Sequence, residues 1–146
     1  MKATDQNQTT NTTLLRRVAA IVYDALLLVP LLMLTTLAVL ALNKGQAIAP
    51  EALWFRLILL GISSSFFAWF WSHGGQTLGM RAWRLKLVSK KDGPVGIGQC
   101  YARFGFALIS ALVLGLGFLW SLFDKQRMTW HDHWSGTRIM QLPKES

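Results

Sequence analysis

The chain carries a decisive apolar stretch, VAAIVYDALLLVPLLMLTTLAVLAL, at residues 18–42. At about 1.5 Å per residue, a helix of this stretch is about 37 Å long, which exceeds the roughly 30 Å hydrocarbon core of a bilayer. Asp24 is the only charged residue in it. A carboxylate near the centre of a membrane helix costs about 2.5 to 3.5 kcal/mol, and the surrounding leucines offset that cost. The stretch therefore predicts a transmembrane helix in which Asp24 has a specific role.

Two more apolar stretches predict further membrane helices. Residues Leu53–Ser72 contain one charged residue, Arg56, and residues 104–123 contain none. Each stretch is about 30 Å long as a helix. Hydrophobic residues make up 52% of the 146 residues and charged ones only 15%, a composition typical of membrane proteins. We therefore predict an all-α integral membrane protein with about three transmembrane helices.

The distribution of basic residues predicts the orientation. Short loops rich in Lys and Arg stay on the cytoplasmic side of a membrane. Here the basic residues cluster before the first stretch and in the loop at residues 73–102, and only Lys44 lies between the first two stretches. We expect a plasma (inner) membrane protein with a cytoplasmic N-terminus. The formal net charge of +8 then suits anionic lipid headgroups and not nucleic acid. The predicted lipid-binding residues are Arg81, Arg84, Lys86, Lys90 and Lys91.

The remaining segments predict one membrane domain with a small polar layer. Residues 1–13 are predicted to be a disordered polar leader, residues 14–142 a single domain, and residues 143–146 a tail. Alternating apolar and polar residues predict a strand at residues 83–88, and residues 137–142 have a similar pattern. We expect these two strands to pair as a short cytoplasmic β-hairpin-like segment.

This strand pairing conflicts with three full crossings. Paired strands lie on the same side of the membrane, whereas a third crossing would separate the C-terminal strand from the loop at residues 73–102. The alternative is that residues 104–123 form a re-entrant segment that turns back at Gly115-Leu116-Gly117. The sequence leaves both topologies open and slightly favours the re-entrant one, with a cytoplasmic C-terminus.

Three short motifs follow one another along the chain. The first is RVAAIVYD at residues 17–24, the second is GQTLGMR at residues 75–81, and the third is HDHWSGT at residues 131–137. In this order they resemble the RDD family of membrane proteins, which is named for one arginine and two aspartates. The resemblance covers roughly residues 14–142.

The resemblance implies roles for individual residues. The family's arginine would correspond to Arg17 and its first aspartate to Asp24, and the second aspartate would be Asp132 or Asp124. Where the family commonly has Gly-Lys, this chain has Gly79-Met80-Arg81, so a role tied to that lysine is in doubt. The family likeness implies a membrane protein for which transport is suggested, with cation/proton antiport proposed for some members. It does not imply an enzyme.

The spacing of charged residues predicts a polar network near the cytoplasmic ends of the helices. Arg17 and Asp24 are two helical turns apart and share one helix face. Arg103 begins a stripe of small residues at every fourth position, and we expect this stripe to pack against the first helix and to pair Arg103 with Asp24. The alternatives are that Asp24 only locks helix packing, and that Arg103 extends to the lipid headgroups. With a cytoplasmic C-terminus, the predicted network comprises Arg17, Asp24, Arg103, Asp132, His131 and His73.

Metal binding and catalysis have little support. His131 and His133 are two residues apart, which places them on different faces of a helix, and no third ligand is evident. No nucleophile, base and orienting group fall together. We therefore expect no metal, no cofactor and no enzymatic activity.

Two functions fit these features. The first is a small ion or proton-coupled transporter that uses the Arg/Asp network, with Asp24 as the titrating carboxylate. It would be a homo-oligomer, because three short helices cannot enclose a path alone. The second is a non-transporting membrane module that binds a protein partner or anionic lipid through the basic loop, with the buried charges serving only assembly.

Overall fold

The computed structural model of the protein describes residues 13–91, 93–125 and 128–143. The leader predicted at residues 1–13 lies, apart from Thr13, outside these residues. The described residues form six helices and two strands in the order α1 (Leu14–Leu42), α2 (Leu53–Ser72), α3 (Leu78–Ala82), β1 (Leu85–Ser89), α4 (Ile97–Leu112), α5 (Leu116–Phe123), α6 (Trp130–Ser135) and β2 (Thr137–Gln141).

Helices α1 and α2 confirm the first two predicted membrane helices. Both are long and apolar enough to cross a bilayer. α1 begins at Leu14, so at about 1.5 Å per residue it is about 43 Å long and projects beyond the roughly 30 Å hydrocarbon core. Leu26, Leu34 and Leu37 are among its exposed apolar side chains. Such a surface fits contact with lipid, as the prediction of an integral membrane protein requires.

The third predicted membrane segment is broken near its middle. Helices α4 and α5 are bent by 96° across residues 113–115, where Leu114 and Gly115 have positive φ angles of 57° and 73°. Glycine adopts such a conformation without the steric cost that a Cβ atom brings. The break lies beside the turn predicted at Gly115-Leu116-Gly117.

The two strands pair across this broken segment. β1 and β2 are antiparallel, with Leu85 opposite Gln141 and Ser89 opposite Thr137, which confirms the predicted strand pairing. The strands are not a simple hairpin, because α4, α5 and α6 lie between them in the chain. Since β1 precedes α4 and β2 follows α6, we infer from the strand pairing that both ends of the broken segment lie on one side of the membrane. Helices α4 and α5 are too short to cross twice, so we interpret them as a re-entrant segment.

A glycine-rich turn joins the end of α2 to the sheet. The carbonyl of Gly75 accepts a hydrogen bond from the backbone N–H of Leu87 at 2.7 Å. Gly75 has a φ of +72°, and a Cβ atom there would lie 2.5 Å from the Leu87 carbonyl oxygen. The turn therefore requires glycine, and it holds α3 and the sheet beside the N-terminal half of α1.

Candidate functional site

Asp132 lies at the centre of a buried ion-pair triad. Its Oδ2 accepts a hydrogen bond from Nη1 of Arg17 at 2.8 Å, and its Oδ1 accepts one from Nη1 of Arg103. All three side chains are buried, and Asp132 has no exposed surface. Asp132 belongs to α6, Arg17 to α1 and Arg103 to α4, so the triad joins these three helices. We call Arg17, Arg103 and Asp132 the triad below.

The start of α6 positions the Asp132 carboxylate. The backbone N–H of Thr129, the residue that precedes α6, donates to Oδ2 of Asp132 at 3.0 Å. Burial alone would raise the pKa of Asp132, but Arg103, Arg17, His131 and this backbone hydrogen bond together lower the pKa well below its usual range. Asp132 therefore stays ionised.

Arg103 connects the triad to two further elements. It donates a hydrogen bond to Oγ1 of Thr137 at 3.0 Å, and that hydroxyl is 2.6 Å from the hydroxyl of Ser135. The guanidinium carbon lies 5.4 Å from the centre of the Trp71 ring, within the range of a cation–π contact. Arg103 is thus fixed by α6, β2 and α2 at once.

Asp24 has a separate set of hydrogen-bond donors. The hydroxyl of Thr77 donates to its Oδ2 at 2.5 Å, and the backbone N–H of Gly79 donates to its Oδ1 at 2.8 Å. Asp24 is buried, and the three ion pairs of the described residues do not include it. The expected pairing of Asp24 with Arg103 is therefore wrong. Asp132 takes that arginine, because α6 and β2 place Asp132 and Thr137 beside Arg103 on α4.

The contact between α3 and α1 is very close at Asp24. A Cβ atom at Gly79 would lie 2.2 Å from the Ala20 carbonyl oxygen and 2.9 Å from the Asp24 carboxylate. Thr77 directly precedes α3 as its N-cap, and its hydroxyl also accepts a hydrogen bond from the backbone N–H of Met80 at 3.2 Å. The short helix α3 is therefore placed so that its first turn binds the carboxylate of Asp24.

A cavity of about 290 Å³ adjoins both the triad and Asp24. Arg17, Arg103 and Asp24 contribute to its wall, but most of the lining is apolar and includes Phe67 and Ala107. Its walls come from every helix and both strands. The cavity is thus the feature that joins the two groups of charged residues.

His131 is buried beside the triad and lines the same cavity. Its ring lies 4.8 Å from that of Phe118, centre to centre. Burial and the positive charge of Arg103 lower the pKa of His131 to about 3, an effect that Asp132 partly opposes and Arg17 adds to. The imidazole is therefore neutral at physiological pH.

This neutral histidine predicts a pH dependence of stability. The unfolded state takes up a proton at His131 near pH 6.5 and the folded state only near about 3, so the free energy of unfolding should fall as the pH falls between these values. The slope is at most about 1.4 kcal/mol per pH unit. Unfolding of nanodisc-embedded protein should show a smaller slope for His131→Gln. The exposed His73→Gln variant is the control and should keep the native slope; equal slopes in all three proteins would contradict the assignment.

Two other residues named in the sequence analysis, His73 and Asp124, do not take part in the triad. His73 is exposed, and its ring stacks on Trp69 at 4.0 Å, so it does not join the predicted network. Asp124 accepts a hydrogen bond from the backbone N–H of Met128 and pairs with His133 at 3.5 Å, so it lies outside the triad. The described residues contain no cluster of three metal-ligating side chains.

The predicted lipid-binding residues lie on and around β1. Arg81, Lys86, Lys90 and Lys91 are exposed and Arg84 is half-buried. Within the described residues, none of the five forms an ion pair with a carboxylate.

Sequence reasoning gave no role to several residues that complete the site. Thr77 and Gly79 bind Asp24, Thr137 binds Arg103, and Trp71 covers the Arg103 guanidinium. Thr77 has one sequence signal, since threonine is favoured just before a helix start, but that signal does not indicate which carboxylate it binds.

Comparison with known proteins adds one match. The model of the RDD family matches residues 12–136. No curated protein and no solved structure matches the chain.

Proposed function

The chain belongs to the RDD family, and we propose that it is a proton-coupled transporter in which Asp24 gains and loses the proton. The observation that carries this proposal is the position of Asp24. It is a buried carboxylate with neutral hydrogen-bond donors, and it lines a cavity shared with two arginines. Buried ionisable residues in membrane helices are costly and commonly serve ion or proton pathways.

In this proposal the two aspartates have different roles. Asp132 is bound by both arginines and keeps its charge, so it fixes the positions of Arg17 and Arg103. Asp24 has no such partner and is free to change charge. The triad carries a surplus of one positive charge, which an ionised Asp24 balances and a protonated Asp24 does not. Protonation of Asp24 therefore changes the net charge around the cavity, which is what coupling to a transported ion requires.

We also propose an orientation of the chain in the membrane and an assembly of several copies. The basic residues around β1 favour a cytoplasmic position for α3 and the β1–β2 sheet. Because α3 contacts the N-terminal half of α1 at Asp24, the N-terminus would lie on the same side of a plasma (inner) membrane. A complete path would need more than one copy of the chain, because α1 and α2 cannot surround a pore. No enzymatic reaction is proposed.

Proton flux into proteoliposomes tests the proposal, with Na⁺ or K⁺ gradients as the driving force. The native protein should move protons, and Asp24→Asn should abolish that flux, since the amide cannot carry the proton. Glu51→Gln is the matched control, because Glu51 is exposed in the turn between α1 and α2. All variants need equal incorporation and native folding. Flux in Asp24→Asn equal to that in Glu51→Gln would overturn the role of Asp24.

A second candidate function has its own supporting observation. The five basic residues around β1 are without carboxylate partners among the described residues, which favours binding of anionic lipid or an acidic protein partner. Neutralising all five to glutamine should reduce the anionic lipid that remains bound in native mass spectrometry. Lys44→Gln, at the opposite end of α1, should not. Unchanged lipid binding in the five-residue variant would remove this candidate.

A further inference from the structure

The cavity has the size and lining of a small-molecule site. Its volume of about 290 Å³ is roughly twice that of an engineered cavity that binds benzene. Phe67, Phe104, Phe118 and Ala107 form much of the wall. Hydrophobic walls with a few polar groups are typical of ligand pockets.

Three buried nitrogen atoms of wall residues have no hydrogen-bond partner among the described residues; one is Nδ1 of His131, and the other two are donors whatever the histidine tautomer. These two donors are Nε of Arg17 and Nε1 of Trp71, and both atoms are buried. Arg17 is 4% and Trp71 8% exposed, so neither side chain reaches bulk water. A buried donor without an acceptor costs about 1 to 3 kcal/mol. Both donors would gain from a ligand that brings acceptor oxygens.

The net charge of the triad determines whether the cavity favours an anionic or a cationic ligand. Two guanidinium groups face one ionised Asp132, which leaves one positive charge beside the cavity. A cationic ligand would meet this surplus and would give neither donor an acceptor. A monoanion would neutralise the surplus and bring acceptor oxygens.

We propose that the cavity binds an amphipathic monoanion, a short-chain or medium-chain monocarboxylate whose apolar tail lies among the aromatic side chains and whose carboxylate lies beside Arg17. The monocarboxylate would be the substrate class of the proposed transporter. The binding site itself does not depend on transport, and only its coupling to Asp24 rests on the proposed function.

Binding of the monoanion and protonation of Asp24 should be linked. The charged and titratable groups that line the cavity with Asp24 are Arg17 on its own helix, Arg103 on α4 and His131 on α6. Asp132 pairs with both arginines and does not line the cavity. Helix α5 has no charged residue, and Arg81 of α3 is exposed. His131 is neutral and Asp132 ionised, so Asp24 is the group left to titrate. Loss of its negative charge should strengthen binding of an anion.

The test measures binding to the full chain in nanodiscs, with no ion gradient. Octanoate, octylammonium and octanol are the probes, since they share a tail and differ in head group. Binding is followed by quenching of tryptophan fluorescence and by thermal stabilisation. Octanoate should bind more tightly than both others. Its binding should tighten as the pH is lowered toward about 6, a range in which a free carboxylate stays ionised, and Asp24→Asn should bind it with little pH dependence.

A matched pair of α4 variants locates the site. Ala107→Leu places a larger side chain in the cavity wall, whereas Ala102→Leu makes the same change at an exposed position of the same helix outside the wall. Octanoate should bind Ala107→Leu at least about tenfold more weakly than Ala102→Leu, which corresponds to about 1.4 kcal/mol. Both variants should unfold at temperatures close to that of the native protein.

The outcomes separate this inference from the proposed function. Equal binding of octylammonium or octanol, or equal binding of octanoate to the two α4 variants, would overturn the monoanion site, even if proton flux depends on Asp24. Selective octanoate binding without any Asp24-dependent proton flux, driven either by a cation gradient or by an octanoate gradient, would leave the site standing and overturn the transporter.

Discussion

Replacing Asp132 with asparagine is expected to lower the free energy of unfolding by about 3 to 5 kcal/mol, the cost of leaving buried charges without their partner. Arg17 and Arg103 would then face each other with no carboxylate between them, and both are more than nine-tenths buried. The backbone N–H of Thr129 would also lose an ionised acceptor. Denaturation of the protein in bicelles measures this loss.

Asp124→Asn is the control for this prediction. Asp124 also accepts a backbone N–H, but it is partly exposed, and among the described residues its ion-pair contact is with His133. Its replacement should cost about 1 kcal/mol or less. If Asp132→Asn is no more destabilised than Asp124→Asn, the triad does not hold the helices together.

A combined replacement separates stability from function. Changing all three triad residues to apolar ones of similar size, Arg17→Met, Arg103→Met and Asp132→Leu, removes every charge of the triad at once. Such replacements are often neutral or stabilising, so this variant should be more stable than Asp132→Asn. It should nevertheless have no octanoate selectivity, because the positive charge beside the cavity is gone.

Replacing Gly79 with alanine is expected to have the second large effect. The added methyl group would lie 2.2 Å from the Ala20 carbonyl oxygen, which cannot move without distorting α1, and 2.9 Å from the Asp24 carboxylate. Overpacking of this kind costs about 1 to 3 kcal/mol. Moving α3 away would also remove the Gly79 and Thr77 hydrogen bonds to Asp24, so proton flux should be lost as well.

Gly98→Ala provides the matched control. A Cβ atom there meets nothing within 4 Å, and alanine favours a helix by up to about 1 kcal/mol over glycine. This variant should be as stable as the native protein or slightly more so. Native stability and native flux in Gly79→Ala would contradict the close contact between α3 and α1.

The membrane helices and the strand pair were predictable from local patterns. The apolar stretch at residues 18–42 and the alternation at residues 83–88 indicate their structures without reference to the rest of the chain. The predicted pairing of the two strands also conflicted with three full membrane crossings, and a re-entrant segment resolves that conflict. The position of the break was close to the predicted one because Gly115 tolerates a positive φ.

The partners of the buried charges were less predictable. The sequence shows that Arg103 needs a carboxylate, but Asp24 and Asp132 both satisfy that need. The choice depends on the start of α6 and on the pairing of β2 with β1. These features bring Asp132 and Thr137 to Arg103, although they lie 29 and 34 positions away in the chain. His73 was expected in the network for its position after α2, yet its ring stacks on Trp69 one turn earlier.

The role of α3 was hidden for a similar reason. Thr77 and Gly79 form a common turn-to-helix sequence. Their hydrogen bonds to Asp24 join positions that are far apart in the chain, with separations of 53 residues for Thr77 and 55 for Gly79. Neither composition nor periodicity reports such a contact. The motif order that resembles the RDD family includes both residues, but it does not state what they bind.

Infrared difference spectroscopy on the nanodisc-embedded protein tests most directly whether Asp24 is the carboxylate that takes up the proton. Spectra taken at high and low pH show the C=O stretch of a buried carboxylic acid when it forms. We predict this band in the native protein and in Glu51→Gln, and its loss in Asp24→Asn. A band of the same size in Asp24→Asn would show that another carboxyl group takes up the proton and would contradict the account.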